Sequence, residues 1–159
     1  MEMLKKLNHK NQSEILLINP PESFEHIEAE INKIIEVNEN LEGDKPLLFV
    51  LAFFTKKSEI REVIERLMKK VNKDSLVWLC YPKKSSKNYK SDITRDTGWE
   101  IMGEYSYEPV RQIAIDDDWS ALRFRPITEI KEFTRDQKMI LSEEGKVKVN
   151  SKKSEGKTK

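Results

Sequence analysis

Residues 47–58 read Leu47-Leu48-Phe49-Val50-Leu51-Ala52-Phe53-Phe54-Thr55-Lys56-Lys57-Ser58. The apolar run is unbroken yet short, which suits a strand buried on both faces better than a helix. It is expected at the centre of a sheet. Thr55 to Ser58 then form a polar loop, after which Ile60, Val63, Ile64, Leu67, Met68 and Val71 recur with i, i+3, i+4 spacing and trace one face of a helix. A buried strand feeding an amphipathic helix is a β-to-α unit, and repetition of such units builds a parallel sheet.

The same alternation extends in both directions. Upstream, Ile15, Leu16, Leu17 and Ile18 form a second buried strand over 14–18, stopped by Asn19, Pro20 and Pro21. Phe24, Ile27, Ile31, Ile34 and Ile35 follow at helical spacing, with Ser23 placed to cap the helix start. Residues 36–46 read as a connection with a short edge strand near Val37. Downstream, Leu76 to Tyr81 is a third buried strand, and a third helix is expected from about Asp92 through Ile93, Ile101, Met102 and Tyr105, with Gly98 and Gly103 against it. Val110 to Ile115 and Trp119 to Arg125 are strand-like runs joined by Asp116, Asp117 and Asp118, which favour a turn. The expectation is a single α/β domain: a mostly parallel sheet of about five strands flanked by helices and ending in an antiparallel hairpin. Residues 1–12 read as a flexible leader, 13–126 as the α/β domain, 127–141 as a peripheral helix or extension, and 142–159 as a disordered basic tail.

Composition limits the chemistry. At 159 residues the chain can bury a core without disulfides or a structural metal. Basic and acidic residues nearly cancel, 29 against 28, so electrostatic recognition has to be local. Cys80 is the single cysteine and His9 and His26 the only imidazoles, which leaves no disulfide framework and no Cys/His zinc set. No apolar stretch approaches a membrane span or a signal-peptide core, so a cytoplasmic protein without a membrane partner is expected.

If the first three strands are parallel, the loops after them open on one edge of the sheet, the carboxyl edge where open α/β folds place ligands. Asn19, then Thr55, Lys56, Lys57 and Ser58, then Lys83, Lys84, Ser85, Ser86 and Lys87 would gather there. Helix N-termini also favour anions. Lys56 and Lys57 oppose the helix dipole, so helix stability does not explain them, and the two Lys-Lys-Ser segments become candidates for one anion site. Ordinary solvated loop residues, with Thr55 or Ser58 as a cap, are the plain alternative. Neither a G-x-x-x-x-G-K-[ST] loop nor a G-x-G-x-x-G turn is present. Side-chain charge would therefore carry the binding, and no cofactor is expected.

Catalytic signatures are weaker. Cys80 alternates with Leu76 and Trp78 and reads as a buried small hydrophobe. Neither histidine sits at a strand end. Asp116 to Asp118 read as a turn before a metal site; Asp92, Arg95 and Asp96 could form a site pair, but Asp92 reads first as a helix-start residue and Arg95 as a surface ion-pair former. Arg123 and Arg125 share one strand face; they suit bidentate recognition of phosphate or carboxylate, or else protect an edge strand. Trp78, Trp99 and Trp119 come from separate elements and read as core anchors.

Several blocks support a resemblance: Trp78-Leu79-Cys80-Tyr81-Pro82-Lys83-Lys84-Ser85-Ser86, Asp92-Ile93-Thr94-Arg95-Asp96-Thr97-Gly98-Trp99, Pro109-Val110-Arg111-Gln112-Ile113-Ala114-Ile115-Asp116, and Trp119-Ser120-Ala121-Leu122-Arg123-Phe124-Arg125. In these the chain resembles an uncharacterised bacterial family of small proteins, a domain of unknown function, over roughly residues 10–126. The resemblance implies a compact, soluble, cytoplasmic α/β domain and carries over no catalytic residue.

The leading functional expectation is a noncatalytic binding or regulatory module that recognises an anionic or phosphorylated ligand or protein segment through the basic loops. A small enzyme acting on an anionic substrate is the first alternative, with Lys83 or Lys84 stabilising developing negative charge and Asp116 as base. A nucleic-acid accessory protein is the second, using the loops and the tail, whose net charge is weak.

Overall fold

Leu47–Phe53 is the middle of the molecule because both of its faces are covered. In the structure, a computed structural model describing residues 1–130, this strand (β3) pairs in parallel with β1, Glu14–Ile18, on one side and with β4, Val71–Pro82, on the other. The sheet order is β2-β1-β3-β4-β6-β5, with β2 at Glu36–Asn38, β5 at Tyr107–Ala114 and β6 at Trp119–Pro126. The first four strands are parallel, and β6 runs antiparallel to both β4 and β5. Among the described residues there are six strands where about five are expected, because the short β2 pairs with β1 at the edge.

Alternation along the strands divides the core in two. Val50, Ala52, Val77, Leu79, Leu122 and Phe124 face α3 (Ile60–Leu67) and α4 (Glu100–Glu104), whereas Phe49, Leu51, Phe53, Trp78, Cys80 and Ala121 face α1 (Glu2–Lys6) and α2 (Glu25–Asn32). α3 buries Ile60, Ile64 and Leu67 on one stripe; each such side chain contributes about 1.5–3 kcal/mol of burial. Cys80 and the three tryptophans are buried, as expected.

Other local expectations give way to packing. Residues 1–12, read as a flexible leader, hold α1, whose Met3 and Leu4 are buried along with Leu7. Trp78 Nε1 donates to Leu7 O, 2.9 Å away, and ties the segment to the sheet. Ser23 does not cap α2, since a 3-10 turn over Glu22–Phe24 precedes the helix. The helix expected from Asp92 is reduced to α4, because residues 92–98 are held in an irregular path by Ile93 and Gly98. Gly98 has φ +106°, and a Cβ there would stand 3.2 Å from Ile93 Cγ2, so the chain needs glycine at this position. Val71 opens β4 and does not extend α3. After β6 the described chain makes a 3-10 turn, Ile127–Glu129; the rest of the extension expected over 127–141 and the tail over 142–159 lie outside the described residues.

Candidate functional site

The carboxyl edge gathers four segments. The loops after β1, β3 and β4 open there, and the antiparallel register of Pro82 with Trp119 brings the β5–β6 turn to the same edge. Asn19, at φ +52°, turns the chain out of β1, and Ser23 Oγ reaches Asp116 Oδ2 at 3.4 Å. Asp116 Oδ1 accepts the N–H groups of Asp118 and Trp119, both at 2.8 Å, as an acid does when it closes a turn.

Thr55, Lys56, Lys57 and Ser58 do stand on this edge, but the backbone donors of Thr55, Lys56 and Lys57 are already used. Glu59 Oε1 accepts from Thr55 N, Thr55 Oγ1 and Lys56 N at 2.9–3.0 Å. Asp92 Oδ1 accepts from Lys57 N at 2.8 Å, and Ser91 Oγ donates to Thr55 O at 2.6 Å. The protein's own carboxylates occupy the place that an external anion would take at the start of α3. Burial alone would raise the Glu59 pKa, but the bonds from Thr55 and Lys56 outweigh it and hold the carboxyl below the ordinary glutamate value.

The Lys/Ser loop is pinned differently. Asp118 accepts Ser86 Oγ at 2.8 Å and Asn88 Nδ2 at 3.0 Å, while its carbonyl accepts Lys83 N at 2.7 Å. Asn88 and Ser86 hold the Asp118 carboxyl below its usual range. The hydroxyl of Ser86 is thus structural, and Ser85 and Lys87 are exposed. Lys83 and Lys84 are left for solvent: among the described residues neither ammonium forms an ion pair.

These two lysines line a concavity of about 260 Å³ with Tyr81, Thr94, Arg95, Asp96, Gln112 and Ser120. Tyr81 Oη accepts Gln112 Nε2 at 2.8 Å, and burial raises the Tyr81 pKa while Arg95 opposes the rise. Arg95 Nε lies 3.3 Å from Asp96 Oδ1. Trp99 stacks edgewise on Tyr81 and Phe54 and donates to Thr94 O at 2.9 Å, so it braces the wall that carries Thr94 to Asp96. Among the described lining residues, three cations and one aspartate stand around this concave surface. Such a site can hold an anion by charge and by hydroxyl and amide donors, without a backbone cradle.

The two Lys-Lys-Ser segments therefore share an edge but line different concavities. Lys57 lines a second one, of about 150 Å³, with Arg61 and Glu100. Sequence reasoning missed Tyr81, Thr94, Gln112 and Ser120 as site residues. Gln112 carried a signal, as the polar residue between Arg111 and Ile113 on a strand, but only the pairing of β5 with β6 brings it near Tyr81. Cys80 is fully buried, which pushes its thiol well above the ordinary range. Among the described residues no group of three or more metal-ligating side chains stands together, and no helix is long and apolar enough to cross a membrane.

No family model matches the chain, and no curated protein matches it. Among solved structures the chain is similar to a protein assigned to the type 11 methyltransferases from Sulfolobus solfataricus, at 9% identity and TM-score 0.46, covering 84% of this chain and 95% of that one. It is also similar to a protein of the NADB-Rossmann superfamily from Streptococcus agalactiae, at 9% identity and TM-score 0.38, covering 79% of this chain and 68% of that one. Likenesses at this level bear on neither ligand nor reaction.

Proposed function

We propose that the protein is a noncatalytic binding or regulatory module whose carboxyl-edge concavity holds an anionic or phosphorylated ligand or protein segment. The observation that carries this reading is the grouping of Lys83, Lys84 and Arg95 around one concavity where, among the described lining residues, Asp96 is the one carboxylate and pairs with Arg95. Lysine ammoniums and an arginine fork are suited to phosphate oxygens. Neither buried Cys80 nor His26 on α2 lines this cavity.

The test is thermal unfolding of the full chain in inorganic pyrophosphate, against chloride at matched ionic strength. At about ten times Kd the stabilisation is about 1.4 kcal/mol, a rise in Tm of about 3–8 °C for a domain of this size. The rise should saturate and should be reduced in the double variant Lys83→Ala/Lys84→Ala. An equal rise in that variant would remove the cavity from the account.

A further inference from the structure

Arg111, Arg123 and Arg125 lie together on the other side of the hairpin. Arg111 stands directly opposite Arg123 across β5 and β6, and Arg125 follows two residues along, so it projects from the same face. That face is the α1/α2 side, because Ala121 belongs to the core beneath those helices while Leu122 and Phe124 belong to the opposite one.

Edge protection does not explain the pair on β6. This strand is flanked by β4 and β5, so Arg123 and Arg125 guard no free edge. Like charges directly opposite one another in a sheet are destabilising, and the ion pairs among the described residues include none of the three arginines. Glu108, in register with Arg125, is fully buried. Among the described residues Arg123 Nε is buried without a hydrogen-bond partner, an arrangement that costs free energy. Its neighbour on β4 is Trp78, covered by α1, so Arg123 stands at the rim of that helix. Lys6 of α1 reaches the carbonyl of Ala114 on β5 at 3.3 Å and adds a fourth cation to the face.

We infer that Arg111, Arg123 and Arg125 form a phosphate-binding site on this face, separate from the carboxyl-edge concavity. Cross-strand and i, i+2 neighbours on one face stand roughly 5 and 7 Å apart, within the reach of long guanidinium side chains converging on one tetrahedral anion. Each guanidinium offers parallel N–H donors to two oxygens. The anion would bind the guanidinium groups and offset the repulsion among the three charges.

The experiment is a titration of the full chain, with arginine side chains labelled for NMR, following Arg123 Nε–H. One arm uses inorganic phosphate and the other a short phosphoserine peptide. A saturable shift is expected that persists in Lys83→Ala/Lys84→Ala and weakens about tenfold or more in Arg111→Gln, the loss of one charge-assisted contact. Arg111 is exposed, so the variant removes no core packing. Tighter binding of the peptide assigns the phosphate to a modified protein, and equal or tighter binding of the free ion assigns it to a small molecule. A shift that is linear and matched by chloride, or one that Arg111→Gln leaves unaltered, overturns the site.

Discussion

Thr55 to Ser58 and Lys83 to Ser86 have nearly the same composition and leave the same edge of the sheet from adjacent strands, yet they end in opposite states. The first closes on Glu59 and Asp92, which take up its backbone donors. The second is held from behind by Asp118, and its lysines face a concavity. Basic residues beside a helix start are thus no measure of vacancy. What matters is whether the chain supplies its own anion.

The largest break in this contrast should come from Trp99→Ala. Trp99 is buried against Phe54, Tyr81 and Phe124 and holds the segment that both closes the first loop and walls the concavity. A cost of about 3–5 kcal/mol is expected, read as a lower urea midpoint, together with loss of anion stabilisation. A midpoint within error of the parent would show that the segment is not braced through this ring.

Glu59→Gln should cost less, about 0.5–2 kcal/mol, in the range of lost helix caps. Its pH signature is more telling. The folded pKa of Glu59 lies below the unfolded one, so its contribution is complete above the ordinary glutamate pKa and is lost as pH falls through the depressed folded value. Unfolding midpoints of parent and variant should therefore converge toward acid. A gap that stays constant down to the folded pKa would mean that Glu59 does not act as an internal anion.

The smallest effect on stability belongs to Lys56→Ala/Lys57→Ala, within about 0.5 kcal/mol as for other exposed sites. It sharpens the comparison because stabilisation by pyrophosphate should be unchanged, unlike in Lys83→Ala/Lys84→Ala. If the first pair abolishes the ligand response and the second spares it, the roles of the two loops are reversed.

Much of the fold was legible. The unbroken apolar run at Leu47 to Phe53 and the spacing of Ile60, Ile64 and Leu67 encode a central strand and its helix locally, since burial on two faces or one stripe leaves a period in the chain. The hairpin was legible through its acidic turn. α1 was not, because Met3, Leu4 and Leu7 form too short a pattern to stand without the sheet beneath them. Nor was the path of 92–98, where Gly98 and the fit of Ile93 override helical spacing.

The site divides along the same line. Lys83 and Lys84 could be placed at the carboxyl edge from the sequence because a strand running into a basic loop ends there in a parallel sheet. Closure of Thr55 to Ser58 by Asp92, more than thirty residues on, and the meeting of Arg111 with Arg123 depend on contacts between distant segments. The sequence by itself determined which residues are apolar, at what period, and which loops carry charge. Strand order and register decided which of those charges are neutralised and which face solvent, because pairing across the sheet is a long-range choice that no local pattern records.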